Sequence, residues 1–325
     1  MQQGAKDLSQ AYDNYFAKNA DHPTKNRKGI HETFRYPQHF KVDQNNTRVF
    51  LPKIGWVRYR ASREIVGKPQ NVTISFFNGH WHLSIQTKRV VADPQHSSTT
   101  IVGIDLGVAN IVALSDGTLI PPVNSFKKYQ KKLAIQQKRM SHKVKFSKNW
   151  YKERRKVQKI HGKIANTRRD HIHKLSTTIS KTHAVVCIEA LKVKNMTHSA
   201  RGTCEKPGVN VKQKSGLNRA ILDQGWGELR RQLGYKLKWR GGILLQVPHQ
   251  HTSQTCLECH YVSPENRISQ SEFVCKACGY TNHADVVGAM NVLERGHRLL
   301  ACGESVHEGR SMKQEPTEVD LAVTG

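Results

Sequence analysis

Four cysteines between residues 256 and 278 form two Cys-x-x-Cys pairs, a spacing that can hold a metal ion. Two residues between thiolates let both sulfurs reach one ion from a single tight turn, and a second turn completes a tetrahedron of four sulfurs. A redox-active pair normally stands alone within a βαβ unit, so that alternative fits poorly. Because sulfur would fill all four positions, no water could be activated there, and the spacing predicts a structural Zn²⁺. The predicted ligands are Cys256, Cys259, Cys275 and Cys278.

Three acidic residues stand where buried elements begin or end. Asp105 ends the apolar run IVGID, Glu189 ends VVCIE, and Asp285 opens an apolar stretch of small residues shortly after the last of these cysteines. A carboxylate at the edge of a core costs free energy unless a cation meets it. Taken singly, each acid is better explained as an ion-pair partner or a helix N-cap, and Asp285 in particular could cap its helix.

Taken together, the three acids favour a catalytic site. A meander of short strands is predicted after Asp105, and a helix and a further strand are predicted after Glu189. This order of elements is the layout of an α/β ribonuclease H-like fold. In that fold, acids from adjacent strands and a helix converge on two divalent cations, which activate a water and stabilise the leaving oxygen in phosphodiester cleavage. Mg²⁺ prefers carboxylate oxygens. The predicted catalytic residues and Mg²⁺ ligands are Asp105, Glu189 and Asp285.

The strands that must position these acids are predicted from short apolar runs bounded by turn residues. The turn Asp116-Gly117 separates the second and third of them. The predicted strands are 101–105, 111–115, the segment TLIPP, 184–191 and 243–248.

Two helices are predicted around the cysteine segment. The first covers 217–242 and ends at Gly241-Gly242, and the second runs from about Asp285 to Arg295. The apolar stripe predicted for the first helix consists of Leu222, Trp226, Leu229, Leu233 and Leu237.

Residues 71–87 predict a β-hairpin, because Asn78-Gly79 is a strong two-residue turn signal. In the register this turn sets, Phe76 faces Trp81, Ile74 faces Leu83 and Val72 faces Ile85, so that one face of the hairpin is apolar. The surrounding residues 46–90 predict a small β-barrel or sheet.

The chain of 325 residues carries a net charge of +27, which indicates a polyanionic partner, most often nucleic acid. Residues 127–175 contain 18 Lys and Arg but only Glu153 and Asp170 as acids, and the second half of this segment has helical periodicity. Charges of one sign repel each other unless an anion neutralises them, so nucleic-acid contact is favoured over a solvated face. The predicted contacts are Lys127, Lys128, Lys131, Lys132, Arg154, Arg155, Arg168 and Arg169. The aromatic residues Tyr129, Trp150 and Tyr151 are interleaved with them, and core packing is an equal alternative for these rings.

Several classes of protein are disfavoured by the sequence. The chain has no long apolar span, no secretory signal, no phosphate-binding GxxxxGK[ST] loop and no Ser or Cys nucleophile signature. Cys187, Cys204 and Cys302 are scattered, which fits a reducing compartment and predicts a cytoplasmic protein. His251, His260 and His283 lie near the cysteines and are interpreted as surface or nucleic-acid-facing residues, since four sulfurs already satisfy the metal.

Four segments resemble the TnpB family, which is also described as the OrfB-type transposases of bacterial insertion sequences and is related to type V CRISPR nucleases. The segments are GIDLGVANIVALSDG (103–117), VVCIEALKVKNM (185–196), GWGELRRQLGYK (225–236) and SQTCLECH…FVCKACGYTNHADVVGAMNVL (253–293). The resemblance implies an RNA-guided DNA endonuclease with a RuvC-like nuclease domain, an inserted zinc ribbon, and a β-barrel with a helical lobe that grips guide RNA. By position, Asp105, Glu189 and Asp285 match the three RuvC acids of the family.

The sequence departs from the family pattern at two places. The family's last motif usually reads acid-x-Asn-Ala-Ala-x-Asn, whereas the chain has Val287 and Gly288 within it and keeps Asn291. The chain also starts within the helical lobe, so we expect the lobe and the barrel to be incomplete. The expected domains are 1–45, a remnant of the helical lobe; 46–95, the wedge-like β-barrel region; 96–253, the nuclease domain with a basic helical segment 125–182; 254–282, the zinc ribbon; 283–300, the final nuclease helix; and 301–325, a disordered tail.

Three functions are compatible with these features. The first is an RNA-guided DNA endonuclease that uses Mg²⁺ for hydrolysis and Zn²⁺ for structure, with DNA and guide RNA as partners and no membrane association. The second is a non-cleaving or decayed nucleic-acid-binding regulator on the same scaffold. The third is a transposase proper, which joins DNA ends with the same fold and metals. The presence of all three acids favours the first.

Overall fold

The computed structural model describes residues 2–24, 32–77 and 79–301. Asn78 of the predicted hairpin turn and all but the first residue of the predicted tail 301–325 therefore lie outside the described residues. Within the described ranges, none of the helices combines the length and apolar character needed to span a bilayer. The elements are α1 (Gln2–Phe16), β1 (Glu32–Tyr36), β2 (Lys41–Asp43), β3 (Arg48–Leu51), β4 (Gly55–Arg58), β5 (Lys68–Phe77), β6 (His80–Lys88), β7 (Ile101–Asp105), β8 (Val112–Leu114), β9 (Leu119–Ile120), α2 (Ser125–Ser141), α3 (Lys148–Thr182), β10 (Val185–Glu189), α4 (Val193–Met196), α5 (Val211–Gln224), α6 (Trp226–Lys238), β11 (Ile243–Val247), β12 (Glu272–Val274), β13 (Thr281–His283) and α7 (Ala284–Ala301).

The chain forms two compact units. The first unit comprises residues 1–92 and 127–165, and the second comprises residues 93–126 and 166–325.

The first unit contains two three-stranded antiparallel sheets, β1-β5-β6 and β2-β3-β4. The β5–β6 hairpin has the predicted register, with Val72 opposite Ile85, Ile74 opposite Leu83 and Phe76 opposite Trp81. Both sheets contribute to one apolar core around the buried residues Val49 and Leu51.

The strands of the first unit begin earlier than the predicted boundary at residue 46. β1 and β2 occupy part of the segment 1–45 that is predicted to be a helical lobe, and α1 is the one helix among the residues of this segment that the structure describes. The reason is pairing across the sheets: Phe34 lies opposite Ile74, and Val42 lies opposite Val49. The pairing of β1 with β5 joins segments that are distant in sequence and has no local signature, whereas β2 and β3 pair across a short turn.

The second unit is built on a five-stranded sheet of order β11-β10-β7-β8-β9. The strands β7, β8 and β9 form the predicted antiparallel meander, and β10 runs parallel to both β7 and β11. Every residue of β8 and most residues of β7 and β10 are buried. The helices α3, α5 and α6 add apolar residues to the core of this sheet.

The predicted helix 217–242 is in fact two helices. Gly225 adopts φ +72°, in the left-handed region, where it ends α5 and begins α6. The break interrupts the predicted apolar stripe: Leu222 is exposed and Ile221 is buried in its place, whereas Trp226, Leu229, Leu233 and Leu237 are buried as predicted.

Helix α7 packs against the sheet at very short range because glycine occupies the contact points. A Cβ atom on Gly103 of β7 would lie 2.1 Å from the carbonyl oxygen of Ala289, and one on Gly296 of α7 would lie 2.1 Å from Sγ of Cys187. Side chains at either position would push the helix away from the sheet. The glycines therefore set the distance between α7 and the strands that end in acids.

Candidate active site and cysteine cluster

The three predicted acids lie around one cavity of the second unit. Asp105 is the last residue of β7 and Glu189 is the last residue of the neighbouring parallel strand β10, each one residue beyond the paired positions Ile104 and Ile188. The carboxyl ends of parallel strands meet at one edge of a sheet, which brings these two side chains together. Asp285, the second residue of α7, completes the group. The cavity has a volume of about 230 Å³.

The cavity places negative charge where water cannot easily solvate it. Burial, followed by the charges of Glu189 and Asp285, raises the pKa of Asp105 to about 7, and Arg267 opposes this rise. Burial also raises the pKa of Glu189. Each ionised carboxylate therefore raises the free energy of ionising its neighbour, and a divalent cation between them would relieve that repulsion. The arrangement suits binding of a hard cation by carboxylate oxygens.

Asp285 does not cap its own helix. Oδ1 accepts a hydrogen bond from the guanidinium of Arg267 at 3.0 Å, and Oδ2 accepts one from Nδ2 of Asn110 at 3.1 Å. The backbone N–H of Asp285 instead donates to Nδ1 of His283 at 3.3 Å. His283 is half-buried against this helix start, which corrects its interpretation as a surface residue, while His251 and His260 are exposed as predicted.

Glu189 is oriented by a chain of two buried polar side chains. The hydroxyl of Thr252 donates to Oε1 of Glu189 at 2.5 Å. Nδ2 of Asn291, on α7, donates to the carbonyl oxygens of Thr252 and Thr255, both at 2.9 Å. Asn291 is the asparagine that this chain shares with the family's last motif. By binding these two carbonyls it fixes the turn that carries Thr252, the hydrogen-bond partner of Glu189.

The four cysteines lie together as their spacing predicts. Their sulfur atoms are all within 4.8 Å of one another, and the pairs Cys256–Cys278 and Cys259–Cys275 are separated by 3.6 and 3.5 Å. Zn–S bonds of about 2.3 Å in a tetrahedron give sulfur–sulfur distances near 3.8 Å. The group can therefore hold a metal such as zinc.

Each cysteine pair lies on a turn that closes with a left-handed residue. The N–H of Cys256 donates to the carbonyl of Tyr261, and the N–H of Cys275 donates to that of Tyr280. The residue after each second cysteine has positive φ: His260 at +58° and Gly279 at +76°. Buried Asn266 joins the two turns, since its amide donates to Gln254 and Tyr261 and its Oδ1 accepts from the N–H of Lys276.

The segment around the cysteines supplies partners to two of the acids. Thr252 precedes the first pair and bonds Glu189, while Arg267 lies between the pairs and bonds Asp285. The turns that would bind the metal therefore also fix two of the three carboxylates.

Two parts of the chain match known protein families. Residues 82–200 match the family OrfB_IS605, described as "Probable transposase", and residues 226–292 match the Cas12f1-like TNB domain. The chain is 56% identical to "Putative RNA-guided DNA endonuclease InsQ" of Escherichia coli K12, over 98% of this chain and 79% of InsQ. The chain belongs to the TnpB/OrfB family.

A more distant relative in sequence agrees with this assignment. A Streptomyces pristinaespiralis protein described as "Putative RNA-guided DNA endonuclease" is 31% identical over 99% of this chain and 79% of its own length. A Cas12f1–sgRNA–target DNA complex solved by cryo-EM is 18% identical, with a TM-score of 0.46 over 69% of this chain and 45% of Cas12f1. That score is too low to define a shared fold. The sequence matches alone confirm the family that the motifs indicate.

The predicted nucleic-acid contacts differ in their surroundings. Most of the basic side chains of α2 and α3 in this set are exposed, and the guanidinium of Arg154 lies 5.5 Å from the ring centroid of Trp150. Arg168 differs, because it donates to the carbonyl of Leu222 at 3.0 Å and lies 3.6 Å from buried Asp223. Its charge is thus engaged within the second unit. The exposed members are Lys127, Lys128, Lys131, Lys132, Arg155 and Arg169.

Sequence reasoning missed Arg267, Thr252 and Asn110 as partners of the acids. Arg267 is one of 52 basic residues, and no sequence pattern distinguishes it from the others. Thr252 can be recognised as a partner only once the fold places its turn beside β10. Gly288 did carry a signal, as a departure from the family motif. A Cβ atom there would lie 3.2 Å from Cγ of Asp105, so this glycine leaves room beside the first acid.

Proposed function

We propose that this protein is an RNA-guided DNA endonuclease. Its active site for phosphodiester hydrolysis would consist of Asp105, Glu189 and Asp285. The observation that carries the proposal is the convergence of these three carboxylates, from β7, β10 and α7, on one cavity. Membership of the TnpB/OrfB family supports it, since InsQ is described as an endonuclease of this kind. The strand order, with its antiparallel meander and the three parallel strands β7, β10 and β11, supports a ribonuclease H-like domain.

Asp105, Glu189 and Asp285 would hold the catalytic metal, which we take to be two Mg²⁺ ions because carboxylate oxygens suit this cation. Such ions would activate a water and stabilise charge on the leaving oxygen. The chain's own residues prepare the site: Thr252 orients Glu189, while Arg267 and Asn110 orient Asp285. Arg267 also places a positive charge beside the cavity, where it would attract the phosphate of a DNA strand.

A structural Zn²⁺ in the cysteine cluster is part of the proposal. Ligation by all four sulfurs would hold the turns of residues 254–282 in place. Because Arg267 and Thr252 lie on and beside these turns, the ion would act on catalysis by fixing the partners of two acids. It would take no part in the bond cleavage itself.

Guide RNA and DNA are the proposed partners, which fits the net charge of +27. The exposed basic residues of α2 and α3 would contact phosphates, so binding should weaken steeply with salt. These residues lie on a solvent-exposed helical surface with few acids to neutralise them.

The test is a guided cleavage assay with purified protein, an RNA transcribed from the end of the insertion element, and a matching DNA duplex. We expect Mg²⁺-dependent strand breaks from the wild-type protein and none from Asp105→Ala, while both proteins retain the RNA. The matched control is Asp170→Ala, which removes an exposed carboxylate on α3.

Each alternative predicts a different result in the same assay. RNA and DNA binding without Mg²⁺-dependent breaks in the wild type would identify a non-cleaving regulator. Joined DNA ends would identify a transposase. Cleavage that survives Asp105→Ala would show that the chemistry lies elsewhere.

A further inference from the structure

The turn between α2 and α3 exposes an aromatic group that the proposed cleavage does not use. Phe146 is 63% exposed and Tyr151 is 43% exposed, and Val144 beside them is 80% exposed. The rings form a continuous edge-on set: Phe146 lies 5.5 Å from Trp150, and Trp150 lies 5.2 Å from Tyr151, between centroids. Apolar side chains exposed together in one patch are a common feature of binding sites, and Trp150 lies half-buried between the two exposed rings.

Cations surround these rings. Nζ of Lys145 lies 5.2 Å from the centroid of Phe146, and the guanidinium of Arg154 lies 5.5 Å from that of Trp150. Residues 143–156 contain one acid, Glu153, and its carboxylate is bonded by Lys156 and by Gln136. The basic residues of the stretch are Lys143, Lys145, Lys148, Lys152, Arg154, Arg155 and Lys156.

The backbone holds the rings in a defined arrangement. The hydroxyl of Ser147 accepts a hydrogen bond from the N–H of Trp150 at 3.2 Å, and the Ser147 carbonyl accepts one from Tyr151 at 3.0 Å. Ser147 thereby caps α3. Phe146 has φ +69°, a conformation that a bulky residue rarely adopts. Through these two hydrogen bonds to Ser147, Trp150 and Tyr151 are held in the first turn of the long helix α3.

A groove with basic walls adjoins the aromatic group. Arg139, His142, Lys143 and Glu153 line a cavity of about 350 Å³. Glu153 precedes Arg154 in sequence, so the groove and the Trp150–Arg154 pair share one stretch of α3. Because Lys156 engages the Glu153 carboxylate, Arg139 and Lys143 give the groove a positive charge suited to phosphate.

We propose that this turn is a base-stacking site for unpaired nucleotides, with the rings of Phe146, Trp150 and Tyr151 against bases and the groove against the backbone phosphates. Charge complementarity decides between possible occupants. An apolar protein surface would leave six of these seven cations without a carboxylate partner, since only Lys156 has one in Glu153, and burying them unpaired is costly. A nucleic-acid strand instead offers a base face and a phosphate at each step. Single-stranded RNA and single-stranded DNA share this chemistry.

The proposal rests on the proposed nucleic-acid partnership but not on cleavage. It is tested by fluorescence anisotropy of the full-length protein, freed of bound RNA, with labelled unstructured oligouridine and oligothymidine over a series of salt concentrations. The variants are Trp150→Ala and Tyr151→Ala. Trp239→Ala is the matched control, because Trp239 is 71% exposed and packs on Tyr235 outside this turn. Lys148→Ala is the electrostatic comparison.

Stacking and charge give distinct signatures in this experiment. Loss of a stacked base weakens binding by about 5- to 100-fold, so we expect Trp150→Ala to lower affinity within that range and to leave the salt slope unchanged. Lys148→Ala should reduce the slope by about 0.7, as expected for one phosphate contact on a single strand. A larger loss for oligouridine identifies RNA as the natural occupant, and a larger loss for oligothymidine identifies DNA.

Two results would overturn the proposal. One is an unchanged affinity for both oligonucleotides in Trp150→Ala and Tyr151→Ala. The other is an equal loss in Trp239→Ala, which would show that any exposed tryptophan has this effect. Circular dichroism shows whether α3 is intact in each variant, and Tyr151→Ala decides the question if Trp150→Ala fails to fold. None of these readouts depends on DNA cleavage, so a protein that does not cleave still answers the question.

Discussion

The four cysteines and the three acids lie in the same unit but are assembled by different means. The cysteines lie within 22 residues of one another, on two similar turns joined by Asn266. The acids are spread from residue 105 to residue 285, on two strands and a helix. Among the described residues, no basic side chain bonds to the sulfur atoms, whereas Glu189 is held by Thr252, and Asp285 is held by Arg267 and Asn110.

This difference follows from the chemistry of the ligands. Thiolates bound to zinc are held by the ion itself, so the turns need only bring them near. Buried carboxylates repel one another and keep their positions only when hydrogen-bond donors hold them. The cluster can therefore form from local sequence with a metal, while the acid site requires the complete sheet, α7 and the cysteine turns.

The largest effect is expected from Cys275→Ser, which removes one of four sulfurs. Structural zinc contributes about 10–16 kcal/mol of apparent binding free energy in isolated zinc-finger peptides. We expect zinc loss, rapid proteolysis within 254–282 and loss of DNA cleavage, because Arg267 and Thr252 lose their positions. Zinc is measured by mass spectrometry of the purified protein. Cys204→Ser, at an exposed cysteine outside the cluster, is the control. Full cleavage without zinc would separate the two sites.

Asp105→Asn should break the acid site and leave the cluster intact. We expect about a 10³-fold or greater loss of cleavage with unchanged zinc content. In Mg²⁺-free buffer above pH 7 the variant should also melt at a higher temperature. The wild-type pKa is raised to about 7, so its ionised carboxylate destabilises the fold above that pH. This gain should shrink progressively as the pH falls from about 7 to about 4, because in that range the carboxyl is ionised in the unfolded chain but protonated in the folded one. A variant that loses zinc would contradict the separation of the sites.

Arg267→Gln tests the link between the two regions. Removing one partner of a buried ion pair costs about 3–5 kcal/mol, because it leaves Asp285 uncompensated. We expect a lower melting temperature without Mg²⁺ and a larger stabilisation by Mg²⁺ than in the wild type, since the ion replaces the lost charge. Arg267→Lys, which keeps the charge, should show a smaller effect. Equal Mg²⁺ stabilisation in all three proteins would refute this role.

Thr252→Val should give the smallest effect. It removes one hydrogen bond to Glu189 and keeps the side-chain volume nearly constant, and partners of metal ligands typically matter by about 10–100-fold. We expect cleavage to fall toward the lower end of that range, with the Mg²⁺ concentration for half-maximal rate raised and zinc retained. Thr252→Ser restores the hydroxyl and should restore both values. A serine variant as weak as the valine variant would show that packing, not orientation of Glu189, is responsible.

The contrast also explains what could be predicted from the sequence. The cluster follows from spacing alone, and the β5–β6 register follows from a turn and an alternating pattern. Asp105 and Glu189 were identifiable because each ends an apolar strand. The split at Gly225 was missed because a single glycine within a helical pattern is usually tolerated. Arg267 was missed because its partner is set by the fold of the cysteine turns and not by any local pattern.

The position of Asp285 near the start of α7 has a consequence during synthesis. A ribosome that has made β7 and β10 has already produced both basic helices, yet the third carboxylate follows only after roughly 5–20 s of further elongation. During that interval the growing chain carries the proposed nucleic-acid contacts but lacks the complete set of acids. On the proposed function, the order of the elements delays cutting until translation has passed the cysteine turns, and we expect a chain released before α7 to bind without cutting.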